Sequence, residues 1–358
     1  MKIIQIIPGK IWGGAEQYIV DIGRGLTARG HEVTYVAHNR PAVTDQLRRE
    51  GIDFITMPLK WSLDSTSARM LAEMLNGVDV IHVHNPMFVP IAIRACSMAG
   101  SNARIVMTRH DSHRTPVNIF LRRMWRRLDN VICVSDFVRR AWHGANRWYP
   151  ADRCVVLHNS IPATTPQPVE SLRAKYGISP DTPLLVFSGR VKKSKGCGVL
   201  IEALSHLAHK QWALVMIGAC KPADYEATLT ASAAKAGIAD RIHFYGFTKN
   251  ARDLMRQADI GVAPAVAKDS FPLTNLEFML SGVCLVSSTS GGQPECIDDG
   301  HTGFLVKPGD VTSLVQVLEK LLDNPALRLQ VAKAGQEYFI HNMDFDSFLD
   351  RLLSIYAH

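Results

Sequence analysis

The chain has 358 residues, 47% of them hydrophobic and 20% charged, with a net charge of +7. That balance excludes a disordered chain, and the length allows two domains with full cores. No apolar run reaches the roughly 18 residues of a spanning helix, so none is expected. The opening residues, Met-Lys-Ile-Ile-Gln-Ile-Ile-Pro-Gly, are too short and too lightly charged for a secretory signal. They read as a buried first strand. Seven cysteines lie scattered at 96, 133, 154, 197, 220, 284 and 296, with no Cys-x-x-Cys pair. They point to a reducing cytoplasm and no structural zinc.

In chain order, residues 2–7 predict a strand, followed by a loop carrying Gly9, Gly13 and Gly14. Residues 15–29 predict a helix stopped by Gly30, and 31–37 the next strand. Further strands are expected at 78–83, 104–108, 130–134 and 155–157. The stretch 160–168 holds Pro162, Pro166 and Pro168 and reads as a linker. Beyond it the pattern repeats: a strand at 184–187, a loop Ser188-Gly189-Arg190 to Lys195-Gly196, a helix at 198–208 and a strand at 213–217. Strands at 241–245, 260–263 and 283–287 follow. Unbroken β-branched runs alternating with helices predict doubly wound parallel sheets. The expected fold is α/β, two Rossmann-like domains facing across a cleft. Residues 1–164 form the first and 165–339 the second, and residues 340–358 return to the first.

Charge divides along the same line. Residues 1–160 hold 21 Lys+Arg against 13 Asp+Glu, a net +8; the remainder holds 19 against 20, a net −1. Arginine forks suit phosphate and carboxylate groups. The first half is therefore read as meeting an acidic ligand or an anionic surface, unless the bias is compositional only.

Several segments carry candidate chemistry. Gly13-Gly14-Ala15-Glu16 opens the first helix without the dinucleotide fingerprint, yet lets backbone approach a phosphate. Arg190 and Lys195 flank a turn after a strand, and two cations there can neutralise a diphosphate. Lys192 and Lys193 read as solvated. Residues 268–277, Lys-Asp-Ser-Phe-Pro-Leu-Thr-Asn-Leu-Glu, set Asp269 and Glu277 eight positions apart around Pro272, where a helix begins. That segment offers a loop acid, free N–H groups for phosphate and an acid for a ribose or sugar hydroxyl. The plainer alternative is an N-capping Asp with a solvated Glu.

Thr108-Arg109-His110-Asp111 closes a strand of the first domain. His110 is read as a partner for a substrate hydroxyl, with Arg109 and Asp111 near the second substrate. His82 and His84 share a strand face but lack a third metal ligand. Asp344-Phe345-Asp346 resembles an Asp-x-Asp metal motif, but Asp346 reads better as an N-cap. Residues 119–127, Ile-Phe-Leu-Arg-Arg-Met-Trp-Arg-Arg, would on a helix form Arg122/Arg126 and Arg123/Arg127 ladders beside Trp125. That pattern suits an anionic membrane surface, or else a packed helix with a solvated arginine face. No nucleic-acid module occurs.

Taken in order, these motifs resemble the family 4 retaining glycosyltransferases of the two-Rossmann-domain type (GT-B). The resemblance also draws on Val80-Ile81-His82-Val83-His84, Val134-Ser135-Asp136-Phe137-Val138 and His158-Asn159-Ser160-Ile161-Pro162. Phe244-Tyr245-Gly246-Phe247 and Gly291-Gly292-Gln293-Pro294-Glu295 complete it. It implies transfer of a hexose-type sugar from a nucleotide-diphosphate sugar, UDP favoured, to an acceptor hydroxyl. The acceptor would be a glycan or a lipid-linked or lipopolysaccharide precursor. The resemblance implies no metal or other cofactor. Arg190 and Lys195 would bind the donor diphosphate with N–H groups near Leu273 and Thr274, and Gly14 would approach the phosphates. Glu277 would hold the ribose. Asp269 and His110 would be the catalytic pair at the transferred sugar. The family has Glu where this chain has Asp269, a side chain about 1.5 Å shorter. The expected location is the cytoplasm, peripheral on the inner face of its membrane. Two further readings stand beside transfer: a nucleotide-sugar epimerase of the same fold, and a non-catalytic sugar-nucleotide-binding subunit.

Overall fold

The computed structural model describes residues 1–9, 12–113 and 115–358. It divides into two compact units, Met1–Pro162 with Phe345–His358, and Ala163–Asp344. The first carries a sheet of β1 (Lys2–Ile7), β2 (Glu32–His38), β3 (Phe54–Met57), β4 (Val80–Val83), β5 (Arg104–Arg109), β6 (Asn130–Cys133) and β7 (Cys154–Val156). Their spatial order is β3-β2-β1-β4-β5-β6-β7. The second carries β8 (Leu184–Ser188), β9 (Ala213–Ile217), β10 (Ile242–Gly246), β11 (Ile260–Ala263), β12 (Cys284–Ser288) and β13 (Phe304–Val306), in the order β10-β9-β8-β11-β12-β13. Every pairing is parallel. Strand order reverses between β1 and β4 in one sheet and between β8 and β11 in the other. Such switch points, at the carboxyl ends of strands, are where open α/β sheets bind ligands.

Central strands are buried on both faces, which is why β1 and β9 read as predominantly apolar runs. Gln5 is the exception in β1, fully buried among isoleucines. It lies in register with His82 of β4. Its Nε2 donates to the Tyr356 hydroxyl at 3.3 Å, and its Oε1 is 2.7 Å from His84 Nε2. The Tyr356 oxygen is 2.6 Å from His82 Nδ1, and His82 Nε2 is 2.7 Å from Thr108 Oγ1. Tyr356 stands on the final helix, Phe345–Ala357, so the end of the chain is hydrogen-bonded into the first strand.

Packing fixes that helix independently. Phe348, Leu349 and Leu352 are buried on its inner face. Gly25 of the first helix, Gly14–Ala28, lets it approach: a Cβ there would lie 2.6 Å from Leu349 Cδ1 and 2.8 Å from Phe345 Cε1. Arg29 bonds Asp346 at 2.9 Å and Asp350 at 2.5 Å. Asp346 is therefore an ion-pair partner inside the first turn, not the N-cap the sequence suggested.

The carboxyl edge of the second sheet is stitched by backbone. Gly189 N–H donates to the Ile217 carbonyl at 2.9 Å and Gly218 N–H to the Gly246 carbonyl at 2.8 Å. Gly218 has φ +137°, and a Cβ on it would sit 1.9 Å from the Gly189 carbonyl oxygen. Gly218→Ala is expected to lower unfolding free energy by roughly 1–3 kcal/mol in urea titration, since neither the φ nor the contact tolerates a side chain.

Burial pushes His82 from its ordinary 6.5 down to about 3 and His84 well below 6.5. Both stay neutral in the fold but protonate when unfolded, so the native state binds fewer protons. Their contribution is full above the unfolded value near 6.5 and is lost as pH falls toward the folded values. Unfolding free energy is expected to fall by about 1.4 kcal/mol per pH unit for each of them between about pH 6 and about pH 5. Urea unfolding across that window checks it; a flat profile contradicts two neutral buried histidines.

Candidate active site

In the second unit the loop after β8 carries Arg190, which is exposed, and then one 3-10 turn, Lys193–Lys195. Gly196 follows with φ +78°, and a Cβ there would lie 1.9 Å from the Pro264 carbonyl oxygen. The Ser194 carbonyl accepts from the N–H groups of Val266 and Ala267, at 3.1 and 3.0 Å. These contacts lock the loop after β8 to the loop after β11, across the switch point. Lys195 Nζ there contacts Asp269 Oδ2. Lys192, read from sequence as solvated, is half-buried. Its pKa is lowered first by burial and then by the charges of Arg190 and Lys195. The crowding of three cations makes this edge attractive to an anion.

Asp269 is held by its backbone. It forms an isolated parallel bridge with Gly291, and its carbonyl accepts from Gly292 N–H at 2.8 Å. Gly291 has φ +72°, and a Cβ there would meet the Asp269 carbonyl oxygen at 2.0 Å. The helix Leu273–Leu280 begins after Pro272 in an extended cap conformation. Leu273 and Thr274 form its first turn, where N–H groups have no intrahelical acceptor. Asn275, fully buried, bonds Ser287 Oγ at 3.0 Å. Ser287 bonds Gln293 at 2.7 Å, Gln293 bonds Ser288 Oγ at 2.8 Å, and Ser288 donates to the Ala265 carbonyl at 2.7 Å. That chain pins the helix start to the ends of β11 and β12. Glu277 lies inside the helix, 3.6 Å from Arg252 Nη2. Arg252 was not singled out in the sequence, because nothing in the spacing relates position 252 to 277.

In the first unit Gly13 and Gly14 are exposed at the carboxyl end of β1, where Gly14 opens the helix. Beneath them Glu16 is buried: a Cβ on Gly9 would lie 2.1 Å from its Oε1. Sequence reading used Glu16 only as part of a motif; its packing explains why position 9 is glycine. Position 10 and position 11 lie outside the described residues.

His110 follows β5 with Nε2 3.0 Å from His84 Nδ1, and Tyr18 sits edge-on to its ring at 5.4 Å. Burial pushes His110 down to about 4, against the opposing pull of Asp111. Arg109 is only 2% exposed. Its Nη2 bonds Asp111 Oδ1 at 2.8 Å and the His113 carbonyl at 3.0 Å, and its guanidinium lies over the Trp142 ring. Asp111 Oδ1 also accepts from His113 N–H. Both acceptor-side candidates are thus engaged in shaping the loop that carries His110, and Arg109 is turned inward.

The basic segment differs most from expectation. It is a 3-10 turn, Ile119–Leu121, and a four-residue helix, Arg122–Trp125, too short for the anticipated arginine ladders. Trp125 is 4% exposed and stacks on Trp142 at 5.9 Å, so it is a core residue and not a membrane contact. Arg122 lies over the Trp148 ring, and Arg127 pairs with Asp129 at 3.2 Å. Arg123 and Arg126 remain exposed. With them stand two apolar side chains that the sequence reading passed over, Phe120 at 88% and Ile119 at 65% exposure. Among the described residues no helix is long and apolar enough to cross a membrane.

Comparison with known proteins agrees with this fold. Residues 12–165 match the family model described as Glycosyltransferase Family 4, and residues 168–338 match Glycosyl transferases group 1. An N-acetyl-alpha-D-glucosaminyl L-malate synthase of Bacillus anthracis is 24% identical, over 96% of this chain and 93% of its own. A lipopolysaccharide core biosynthesis mannosyltransferase of Rhizobium meliloti is 30% identical, over 59% of this chain and 60% of its own. The crystal structure of Anabaena Alr3699/HepE in complex with UDP and glucose superposes with a TM-score of 0.82 at 21% identity, covering 99% of this chain and 98% of that one. The two doubly wound sheets, the switch-point loops and both family models place the chain in the family 4 glycosyltransferases, with the GT-B fold.

Proposed function

We propose that this glycosyltransferase moves a hexose-type sugar from a UDP-sugar to a hydroxyl of a lipid-linked or lipopolysaccharide acceptor, with retention and without a metal. One observation carries the reading. Arg190, Lys195, Asp269 and the start of the Leu273–Leu280 helix share one sheet edge at the switch point, on loops cross-linked by backbone. Two cations and a helix N-terminus suit a diphosphate. Charge builds on that diphosphate as it leaves, and fixed positive groups stabilise it most at that moment. In this reading Arg190 and Lys195 take the diphosphate with the N–H groups of Leu273 and Thr274. Glu277 holds the ribose, Asp269 faces the sugar, and Gly14 offers backbone to phosphate. His110 is the first unit's candidate for a sugar hydroxyl. Support for UDP comes from the Anabaena structure, and support for the acceptor class from the Rhizobium relative.

UDP is expected to raise the melting temperature, and GDP and ADP to leave it in place, because ligand bound only by the folded state stabilises it. Arg190→Ala and Lys195→Ala should each cut transfer by roughly a hundredfold or more. Full activity in both variants would remove the donor site from this edge. Transfer unaffected by a chelator supports the metal-free reading. An altered sugar formed from donor alone would indicate an epimerase, and tight UDP binding without turnover a non-catalytic subunit.

A second part of the reading concerns the surface of the first unit, which carries the net +8 of residues 1–160. Exposed Ile119 and Phe120 beside Arg123 and Arg126 suit peripheral contact with an anionic cytoplasmic leaflet. Sedimentation with acidic vesicles should weaken with salt and be lost in a Phe120→Ser, Arg123→Glu, Arg126→Glu variant. Trp125→Phe should leave it unchanged, since that ring is buried. Binding that ignores both salt and the triple variant would sink the membrane contact.

A further inference from the structure

We propose that Gln5, His84 and Tyr356 are positioning residues: they hold His110 as its Nε2–H tautomer, so that Nδ1 is presented as a hydrogen-bond acceptor for a ligand hydroxyl. The inference deepens the role given to His110 above, and its first test needs no activity.

The argument follows the direction of each hydrogen bond. The Gln5 amide presents Oε1 to His84 and Nε2 to Tyr356. A carbonyl oxygen can only accept, so His84 Nε2 carries a hydrogen. Burial keeps the His84 ring neutral, and a neutral imidazole has one N–H. His84 Nδ1 is therefore a bare acceptor, 3.0 Å from His110 Nε2, which must donate to it. Burial keeps His110 neutral as well. Its second nitrogen, Nδ1, is then bare and has no partner among the described residues.

On the other side of Gln5 the Tyr356 hydroxyl receives the amide N–H. Gln5 Nε2 donates to the Tyr356 oxygen, which lies 2.6 Å from His82 Nδ1; a hydroxyl can donate to that nitrogen or accept from it. His82 Nε2 lies 2.7 Å from Thr108 Oγ1, which can likewise donate or accept. Tyr356 is thus the acceptor for the Gln5 amide nitrogen in the orientation that turns Oε1 to His84. If the amide were reversed, Gln5 would donate to His84, and His84 would donate through Nδ1 to His110. His110 would then present an N–H in place of a lone pair. A lone pair at Nδ1 accepts from a hydroxyl and repels an acceptor-only oxygen such as a keto or carboxylate oxygen. The final helix, more than 200 positions away in sequence, therefore holds one end of the bond chain that sets what His110 can bind.

The direct test is the two-bond ¹H–¹⁵N correlation pattern of the imidazole rings in full-length, histidine-labelled protein. The expected pattern for His110 is a protonated Nε2 and a bare Nδ1. A protonated Nδ1 in the unaltered protein would overturn the proposal. Gln5→Leu removes the acceptor for His84 and should produce a mixture of His110 tautomers, whereas Gln5→Glu, which keeps an oxygen opposite His84, should retain the single form. Tyr356→Phe should also give a mixture. It should lower kcat for transfer roughly fivefold with the donor KM held, the size of one net hydrogen bond. Unchanged His110 tautomers in both Gln5→Leu and Tyr356→Phe would show that the chain of bonds does not set them. Should Gln5→Leu fail to fold, the unaltered protein and Tyr356→Phe still decide the matter. A correct tautomer in a protein that transfers no sugar would refute the proposed reaction and leave this inference standing.

Discussion

A parallel sheet constrains everything built on it. Each strand must be followed by a crossover, so every loop that leaves a strand's carboxyl end emerges on the same edge. In the second unit that rule gathers positions 190, 195, 269, 273 and 291, which are dispersed in sequence, along one edge. The reversal of strand order between β8 and β11 then separates the helices that follow them and opens space between their loops. The loops approach each other so closely that side chains are excluded. Gly196, Gly218 and Gly291 each place backbone where a Cβ would strike a neighbouring carbonyl oxygen. Those glycines are consequences of the topology as much as of any ligand.

A sheet covered on both faces also makes polar side chains costly unless all are satisfied. Each unit meets that demand with a directed chain of hydrogen bonds ending under a switch-point loop. In the first, Gln5, His82, His84 and Tyr356 run from the final helix to His110. In the second, Asn275, Ser287, Gln293 and Ser288 run from a helix start to the Ala265 carbonyl. Such chains polarise along their length and admit few alternative arrangements, so they fix orientation as well as position. Uncharged groups do this without the desolvation cost of a buried ion, at the expense of one buried atom, Asn275 Oδ1, that has no partner among the described residues.

Local pattern made much of this legible. The apolar runs of β1 and β9 announce buried strands, and the glycine and lysine punctuation after β8 announces the loop that stands at the switch point. What sequence could not supply was direction and partner. Residues 119–127 combine arginines with an aromatic ring, but composition does not say which side chain turns inward. Trp125 has the large ring of Trp142 to stack upon and is buried, which leaves Phe120 outside. Arg109 similarly finds Trp142 and Asp111 and is withdrawn from solvent. The pairs Lys195 with Asp269, Arg252 with Glu277 and Gln5 with Tyr356 join segments that follow different strands, or opposite ends of the chain. No periodicity relates such positions, because the sheet alone brings them together.

Asp269 shows how these levels combine. Its backbone is pinned by Gly291 and Gly292, so the chain cannot advance to make up for a side chain one methylene shorter than glutamate. The carboxylate meets the flexible Lys195 instead. In the proposed reaction the donor diphosphate competes for that lysine. Once Lys195 turns to phosphate, Asp269 is left close to a new anion and without its own cation, which is unfavourable at this partly buried site. A hydroxyl of the transferred sugar can offset that by donating to the freed carboxylate. The diphosphate and the sugar are then recognised jointly, through a single lysine shared between them. The identity of residue 269 thereby bears on which sugar hydroxyl can reach it.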